Sequence, residues 1–192
     1  SAKHAEETLS QKELSQLEIA QSEIRYRNVK QLQVRHLNFA YPDGKQILKD
    51  ISFKAEKGQI IGITGPVACG KSTLGKVFLC EYPYEGQILV DGKELQNMPP
   101  SWQTNIIGYL GHDPELFNDS VENNVLMGEQ KKTEDFLKIV CMAEEVNEMD
   151  DGLQTLVGNG GVRLSGGQGK RLALARTLCH KKPVLVLDDP FS

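Results

Sequence analysis

The sequence predicts an α/β fold built around buried parallel strands, and three observations carry that prediction. Short β-rich apolar runs end in glycine or in acid, segments of helical period separate them, and a glycine-rich turn joins one such run directly to a helix. The chain has 192 residues, enough for one domain with a full core and an appended subdomain. With 39% hydrophobic and 25% charged residues it belongs with ordinary globular proteins rather than disordered or fibrous ones. A formal net charge of −4 gives no electrostatic footprint for nucleic acid. No apolar run approaches the roughly 20 residues that span a bilayer. The polar stretch from Ser1 to Gln16 has no signal-peptide pattern, and Ser-Ala in place of Met reads as a trimmed chain. Four cysteines without a C-x-x-C pair argue against a zinc site and for a reduced setting. Cys80, Cys141 and Cys179 sit in apolar helical contexts and read as small buried hydrophobes.

Residues 1–30 are rich in Glu, Gln, Lys and Ser, with Leu14, Leu17 and Ile24 at helical spacing, the composition of a linker or helical lead-in. From Leu32 the period becomes two, through Val34 and then Leu37, Phe39 and Tyr41. Pro42-Asp43-Gly44 closes that strand with a turn. A second strand covers about 51–55, and Gln59–Thr64 reads as a buried parallel strand. A helix is expected from about Lys71 to Cys80, then strands at 86–90, ended by Asp91-Gly92, and at 106–110. Helical period governs 120–150, through Val121, Val125, Phe136, Leu137, Val140 and Cys141. A helix follows from about Gly166 to Cys179, and Val184–Leu187 is a buried strand.

Three motifs carry chemistry. Gly65-Pro66-Val67-Ala68-Cys69-Gly70-Lys71-Ser72 fits G-x-x-x-x-G-K-[ST], with Thr73 next in the opening helix. Glycines let backbone N–H groups point inward at phosphate oxygens, and the helix adds its positive end. Lys71 supplies a compact cation to the β- and γ-phosphates, and Ser72 a hydroxyl for Mg²⁺. Leu164-Ser165-Gly166-Gly167-Gln168 opens a helix. Ser165 and Gln168 alone make a capping box, but two glycines in a first turn cost helix stability. They make sense where something approaches the backbone closely. Val184-Leu185-Val186-Leu187-Asp188-Asp189 places carboxylates at the ligand-binding edge of an open sheet, where Asp188 would hold Mg²⁺ through water.

In this order the three motifs resemble the ATP-binding cassette family, whose distinguishing signature is LSGGQ, and the resemblance runs from about Val34 to Ser192. It implies a P-loop NTPase core with a RecA-like parallel sheet, an antiparallel β-subdomain and an inserted α-helical subdomain. It divides residues 31–192 into β-subdomain and core (31–111), helical subdomain (about 112–165), and signature helix with the Walker B strand (165–192). It implies ATP and Mg²⁺ as cofactors. Ser165, Gly166, Gly167 and Gln168 would meet the ATP held on the phosphate loop of a second nucleotide-binding domain. Tyr41 resembles the aromatic residue that stacks on adenine; its alternative role is a strand-end core residue. Ile107–Asn118 resembles the loop joining core to helical subdomain. Leu156–Gly161 resembles the exporter-type loop that touches a transmembrane partner, which together with 119–124 favours the exporter branch. The resemblance thus implies a domain at the cytoplasmic face of a membrane and no nucleic-acid partner.

This sequence departs from the family pattern in three places. Asp189 stands where a Glu usually positions the attacking water; a displacement of about 1 Å can cost ~10²-fold in rate. His112 occupies the position of the Gln that senses Mg²⁺ and γ-phosphate, and Asn159 stands where exporters often carry Glu. The pair Asp189 and His112 resembles the degenerate half of a heterodimeric exporter, slow at its own site but able to complete its partner's. The family also continues beyond the counterpart of Ser192 with a D-loop, a strand and a switch His, so the sequence reads as C-terminally incomplete. Three functions follow as alternatives: an exporter motor domain, a non-hydrolysing ATP-gated dimerisation module, or a soluble cassette protein of DNA repair or translation. Acidic balance and the loop at 156–161 disfavour the last. Cys69 in the phosphate loop is either a tolerated small residue or a redox-sensitive thiol.

Overall fold

The alternation from Leu32 produces β1, Gln31–Ala40, in a computed structural model that describes residues 28–190. The lead-in helix expected before residue 28 lies outside the described residues, as do Phe191 and Ser192. Leu32, Val34, Leu37 and Phe39 are all buried although the first two are even-numbered and the last two odd. A β-bulge reconciles them. The β1–β2 register shifts between Val34 and Leu37, and His36 takes a left-handed φ of 47°. The extra residue keeps both halves of the strand facing one core. Gly86 (φ 90°) fits against this bulge; a side chain there would stand 2.6 Å from the Arg35 carbonyl oxygen.

β1 is central in a four-stranded antiparallel sheet with β2 (Gln46–Glu56), β3 (Glu85–Val90) and the short β4 (Lys93–Glu94), in the order β2-β1-β3-β4. The expected turn joins β1 to β2: Gly44 (φ 83°) donates its N–H to the Tyr41 carbonyl at 2.8 Å. After β2 the phosphate loop leads into α1, Lys71–Val77, shorter than the helix expected to Cys80. α2, Pro100–Ile106, was not legible beforehand; Pro99-Pro100 start it, with proline tolerated at the first helical position. It runs straight into β5, Ile107–Leu110, which pairs in parallel with β8, Val184–Leu187. β8 forms where expected but is half-buried rather than buried, with Leu187 exposed, because no strand among the described residues flanks its other edge.

The strand expected at Gln59–Thr64 is not formed. Those residues have no strand partner among the described residues, and Ile60, Ile61 and Ile63 are exposed by 95%, 43% and 51%. A strand buried on both faces needs a hydrogen-bonded neighbour at each edge as well as apolar covering. No described strand runs alongside this segment, so it joins no sheet and its isoleucines reach the surface.

The helical period across 120–150 resolves into three short helices: α3 (Val121–Leu126), α4 (Thr133–Ile139) and α5 (Ala143–Asn147). Left-handed residues Met127 (φ 45°) and Cys141 (φ 52°) interrupt it. Cys141 is consequently exposed rather than buried, because it turns the chain between α4 and α5; Cys179 is buried and Cys80 half-buried. Ahead of α3 the two-residue β6 (Asp119–Ser120) pairs antiparallel with β7 (Leu156–Val157). α6 spans Gly166–Cys179, capped as its sequence implies: Ser165 Oγ accepts from Gln168 N, and Gln168 Oε1 accepts from Ser165 N. Two apolar clusters result. One gathers Leu32, Val34, Leu37, Phe39 and Ile88 around β1; the other packs α3 to α6 through Val121, Val125, Leu137, Met142, Val146 and Leu172. No helix among the described residues is long and apolar enough to cross a membrane.

Candidate functional site

The phosphate loop is tight. Ala68 (φ 61°) and Gly70 (φ 100°) adopt left-handed conformations, and a side chain at Gly70 would stand 2.9 Å from Ile47. At Gly65 a Cβ would lie 2.8 Å from Cys69 Sγ, a side-chain end that can turn aside. Gly70 is therefore the glycine that both backbone conformation and close approach require. Pro66, Val67, Ala68 and Cys69 form the exposed rim, with Val67 95% exposed. Lys71 folds over it: Nζ donates to the carbonyl oxygens of Gly65 (2.8 Å) and Pro66 (2.7 Å) and stands 3.9 Å from Cys69 Sγ. The first-turn N–H groups of α1, at Lys71, Ser72 and Thr73, have no acceptor inside the helix. A cation and a row of amide donors therefore lie together at the head of α1.

α1 rests on the parallel strand pair. A Cβ at Gly75 would meet Tyr109 at 3.2 Å and Val186 at 3.4 Å, so β5 and β8 pass beneath the phosphate loop's helix. Their C-terminal ends carry the other chemistry. Asp188 N donates to Leu110 O at 2.8 Å, while Asp188 Oδ2 and the Tyr109 hydroxyl are buried without a hydrogen-bond partner among the described residues. Burial, then the Asp188 carboxylate, raises the Tyr109 pKa above the ordinary phenol value. A buried carboxylate oxygen with spare lone pairs is the hard-oxygen donor type that Mg²⁺ takes. Beside it, His112 Nδ1 lies 3.5 Å from Asp189 Oδ2, with both side chains about half exposed. Asp189 itself is left-handed (φ 51°).

Tyr41 lies where β1 ends, half-buried, with Phe39 and Tyr82 edge-on to it at ring-centroid distances of 5.0 and 5.9 Å. It lines a cavity of about 150 Å³ with Phe39, Lys76, Val77, Glu81 and Tyr82. Both readings of Tyr41 thus have a physical basis: it packs on the core and also faces an open cavity beside α1.

At the signature turn, Gly166 and Gly167 have open space where side chains would be, with nothing within 4 Å of an added Cβ. Neither glycine serves internal packing. Gln168 is committed within the chain, because its Nε2 donates to Glu145 Oε2 at 2.8 Å. The loop at 156–161 lies against the 107–118 segment: Gly160 N donates to Asn118 Oδ1 at 3.1 Å, and a Cβ at Gly158 (φ 91°) would stand 2.8 Å from Phe117 O. Asn159 belongs to this stapled loop. Phe117, Asp119, Asn123, Met127 and Gly128 line an open groove nearby.

A family model described as ABC transporter matches residues 48–192. The chain belongs to the ABC transporter family. It is 35% identical over 170 residues to ABC transporter B family member 1 of Dictyostelium discoideum, covering 84% of this chain and 18% of that protein. It is 37% identical over 163 residues to the probable multidrug resistance ABC transporter ATP-binding/permease protein YheI of Bacillus subtilis (strain 168), covering 82% and 28%. It is likewise 37% identical over 168 residues to the ATP-dependent lipid A-core flippase of Burkholderia pseudomallei (strain K96243), covering 84% and 28%. A solved bacterial Atm1-family ABC exporter with ATP bound superposes with a TM-score of 0.78 at 30% identity, covering 85% of this chain and 30% of that one. The chain therefore spans less than a third of the length of these relatives, and it is an ABC nucleotide-binding domain of the kind that exporters carry.

Within this ABC transporter domain several residues serve the site without having been singled out from sequence. Asn118 and Asn124 hold the loop between core and helices; Asn124, fully buried, accepts from Phe117 N and donates to backbone oxygens. Arg176 packs 5.0 Å over the Phe117 ring and donates to Glu115 O at 2.7 Å. Glu145 and Arg171 brace the signature turn. Asn124 follows a capping serine and lies inside a helix, a place where a buried polar residue is uncommon; that was the available signal.

Proposed function

We propose that this chain binds ATP-Mg²⁺ and powers transport across a membrane as the nucleotide-binding domain of an exporter. The observation that carries the reading is the Lys71 ammonium poised over the glycine-built loop, next to strand ends that present Asp188. Arrival of a triphosphate would exchange the Gly65 and Pro66 carbonyls on Lys71 Nζ for phosphate oxygens, a change from neutral to charged acceptors and so a stronger bond. The α1 amides would cradle the same phosphates, and Tyr41 would take the adenine face. Ser72 and Asp188 would hold Mg²⁺, which supplies charge neutralisation at the phosphates. The working domain map of this reading is 31–111, about 112–165 and 165–192, with 1–30 as the lead-in.

In this reading a second nucleotide-binding domain closes on the first, its phosphates meeting the open edge at Gly166 and Gly167. Exporter relatives, the 156–161 loop and the adjacent groove support a transmembrane partner, and with such a partner the chain would sit at the cytoplasmic face of a membrane. Hydrolysis at the chain's own site is slow, because Asp189 is short and shares its neighbourhood with His112 at 3.5 Å. The same contact favours a second reading, a clamp that binds ATP and dimerises without hydrolysing it. Single-turnover hydrolysis in the assembled full-length protein separates these: Asp189→Glu should accelerate the slow site at least tenfold. A wild type that already cleaves ATP equally fast at both sites sinks the slow-site reading, and no cleavage in either form favours the clamp.

A further inference from the structure

We propose that Glu145 is a positioning residue for the signature turn, holding Gln168 so that the bare backbone at Gly166 and Gly167 faces a nucleotide on a second domain. The inference rests on the reading that this turn completes a second domain's ATP site. A capping box requires only the reciprocal bonds between Ser165 and Gln168, which are present at 2.9 and 3.2 Å. Here the glutamine does more. With Oε1 accepting from Ser165 N, its Nε2 reaches Glu145 Oε2 at 2.8 Å, so both ends of the side chain are held within the chain.

Glu145 is fixed in turn. Arg171, one turn along α6, meets it in a two-pronged pair, Nη1 to Oε1 at 2.7 Å and Nη2 to Oε2 at 3.1 Å. This fork geometry restrains orientation as well as distance. Arg171 Nη1 also donates to Cys141 O at 2.8 Å, tying the pair to the left-handed turn between α4 and α5. Donation from Arg171 and then from Gln168 holds the Glu145 carboxyl below its ordinary value, so it remains an ionised acceptor at neutral pH. Two consecutive glycines give the first turn of α6 little stiffness of its own. The brace from α5 supplies it, and leaves the open side of the glycines clear. Glu145 touches no substrate; it acts through Gln168.

The test uses the full-length assembled protein and three variants, Glu145→Ala, Glu145→Gln and Gly167→Asp. Each is measured for steady-state ATP turnover, equilibrium affinity for a fluorescent ATP analogue, and melting temperature. Glu145→Ala should lower kcat at least tenfold and leave nucleotide affinity within twofold. Glu145→Gln, which keeps an acceptor oxygen for Gln168 and Arg171, should recover kcat to within threefold of wild type. Gly167→Asp, which fills the open edge with a negative charge, should abolish turnover. If Gly167→Asp abolishes turnover but Glu145→Ala does not lower it, the positioning role is wrong while the signature reading stands. If Gly167→Asp turns over normally, the signature reading itself fails. Equal losses of affinity and melting temperature in both Glu145 variants, without recovery by glutamine, also overturn the proposal, because the pair would then be merely structural.

Discussion

Asn124→Ala should destabilise the chain far more than its size suggests, and the structure sets the magnitude. Asn124 is fully buried. Its Oδ1 accepts from Phe117 N at 2.9 Å, and its Nδ2 is shared among the carbonyls of Phe117 (3.0 Å), Ser120 (3.0 Å) and Asp119 (3.3 Å). Alanine offers none of these. Losing buried bonds at about 1 kcal/mol each, with a backbone N–H left unpaired at a further ~1–3 kcal/mol, gives a cost of about 3 to 5 kcal/mol. For a domain of this size that corresponds to a fall of about 10 °C in Tm. Thermal unfolding followed by circular dichroism measures it directly. Asn123→Ala is the control: that neighbour is exposed, its side chain donates only to Asp119 Oδ1, and the melting curve should scarcely move. Equal, small shifts in both variants would refute the claim that Asn124 staples the loop between core and helices.

Other consequences can be checked with simpler measurements. The Glu145 carboxyl is lowered in the folded state, so its stabilisation is complete above the ordinary value of 4.5 and is lost as pH falls through the lowered one. Wild type should therefore exceed Glu145→Gln in urea midpoint at pH 7, with the gap closing under acid; a gap constant from pH 7 to 3 contradicts the ion pair. Cys69 and Cys141 are exposed whereas Cys179 is buried. A maleimide should modify the first two in the native protein and Cys179 only after unfolding. Saturating ATP-Mg²⁺ should slow modification at Cys69 and leave Cys141 unchanged, and an unprotected Cys69 would argue against nucleotide in the phosphate loop.

How much could be read from the sequence depended on whether the interactions were local. Gly65–Ser72, the start of α6 at Gly166 and the strand 184–187 were legible because each is specified by its own residues: required glycines, a serine cap, an uninterrupted apolar run. The bulge at His36 was hidden in plain view, as a change from even to odd apolar positions. The 59–64 segment was misread because a parallel strand is defined by neighbours, and its own β-rich composition says nothing about who pairs with it. Cys141 was misplaced for a related reason: helical period continued across a turn whose left-handed residue is not a glycine. Pairs distant in sequence, such as Glu145 with Gln168, Asn118 with Gly160, and His112 with Asp189, became visible only when the fold brought them together.

Lys71 is the centre of the proposed phosphate grip. Equilibrium titration of ATP in Mg²⁺ buffer, against wild type and Lys71→Ala, tests it most directly. Loss of a charge-assisted contact worth about 1.5–3 kcal/mol should weaken affinity tenfold or more. Identical affinities, or a wild type that takes up no ATP, would contradict it.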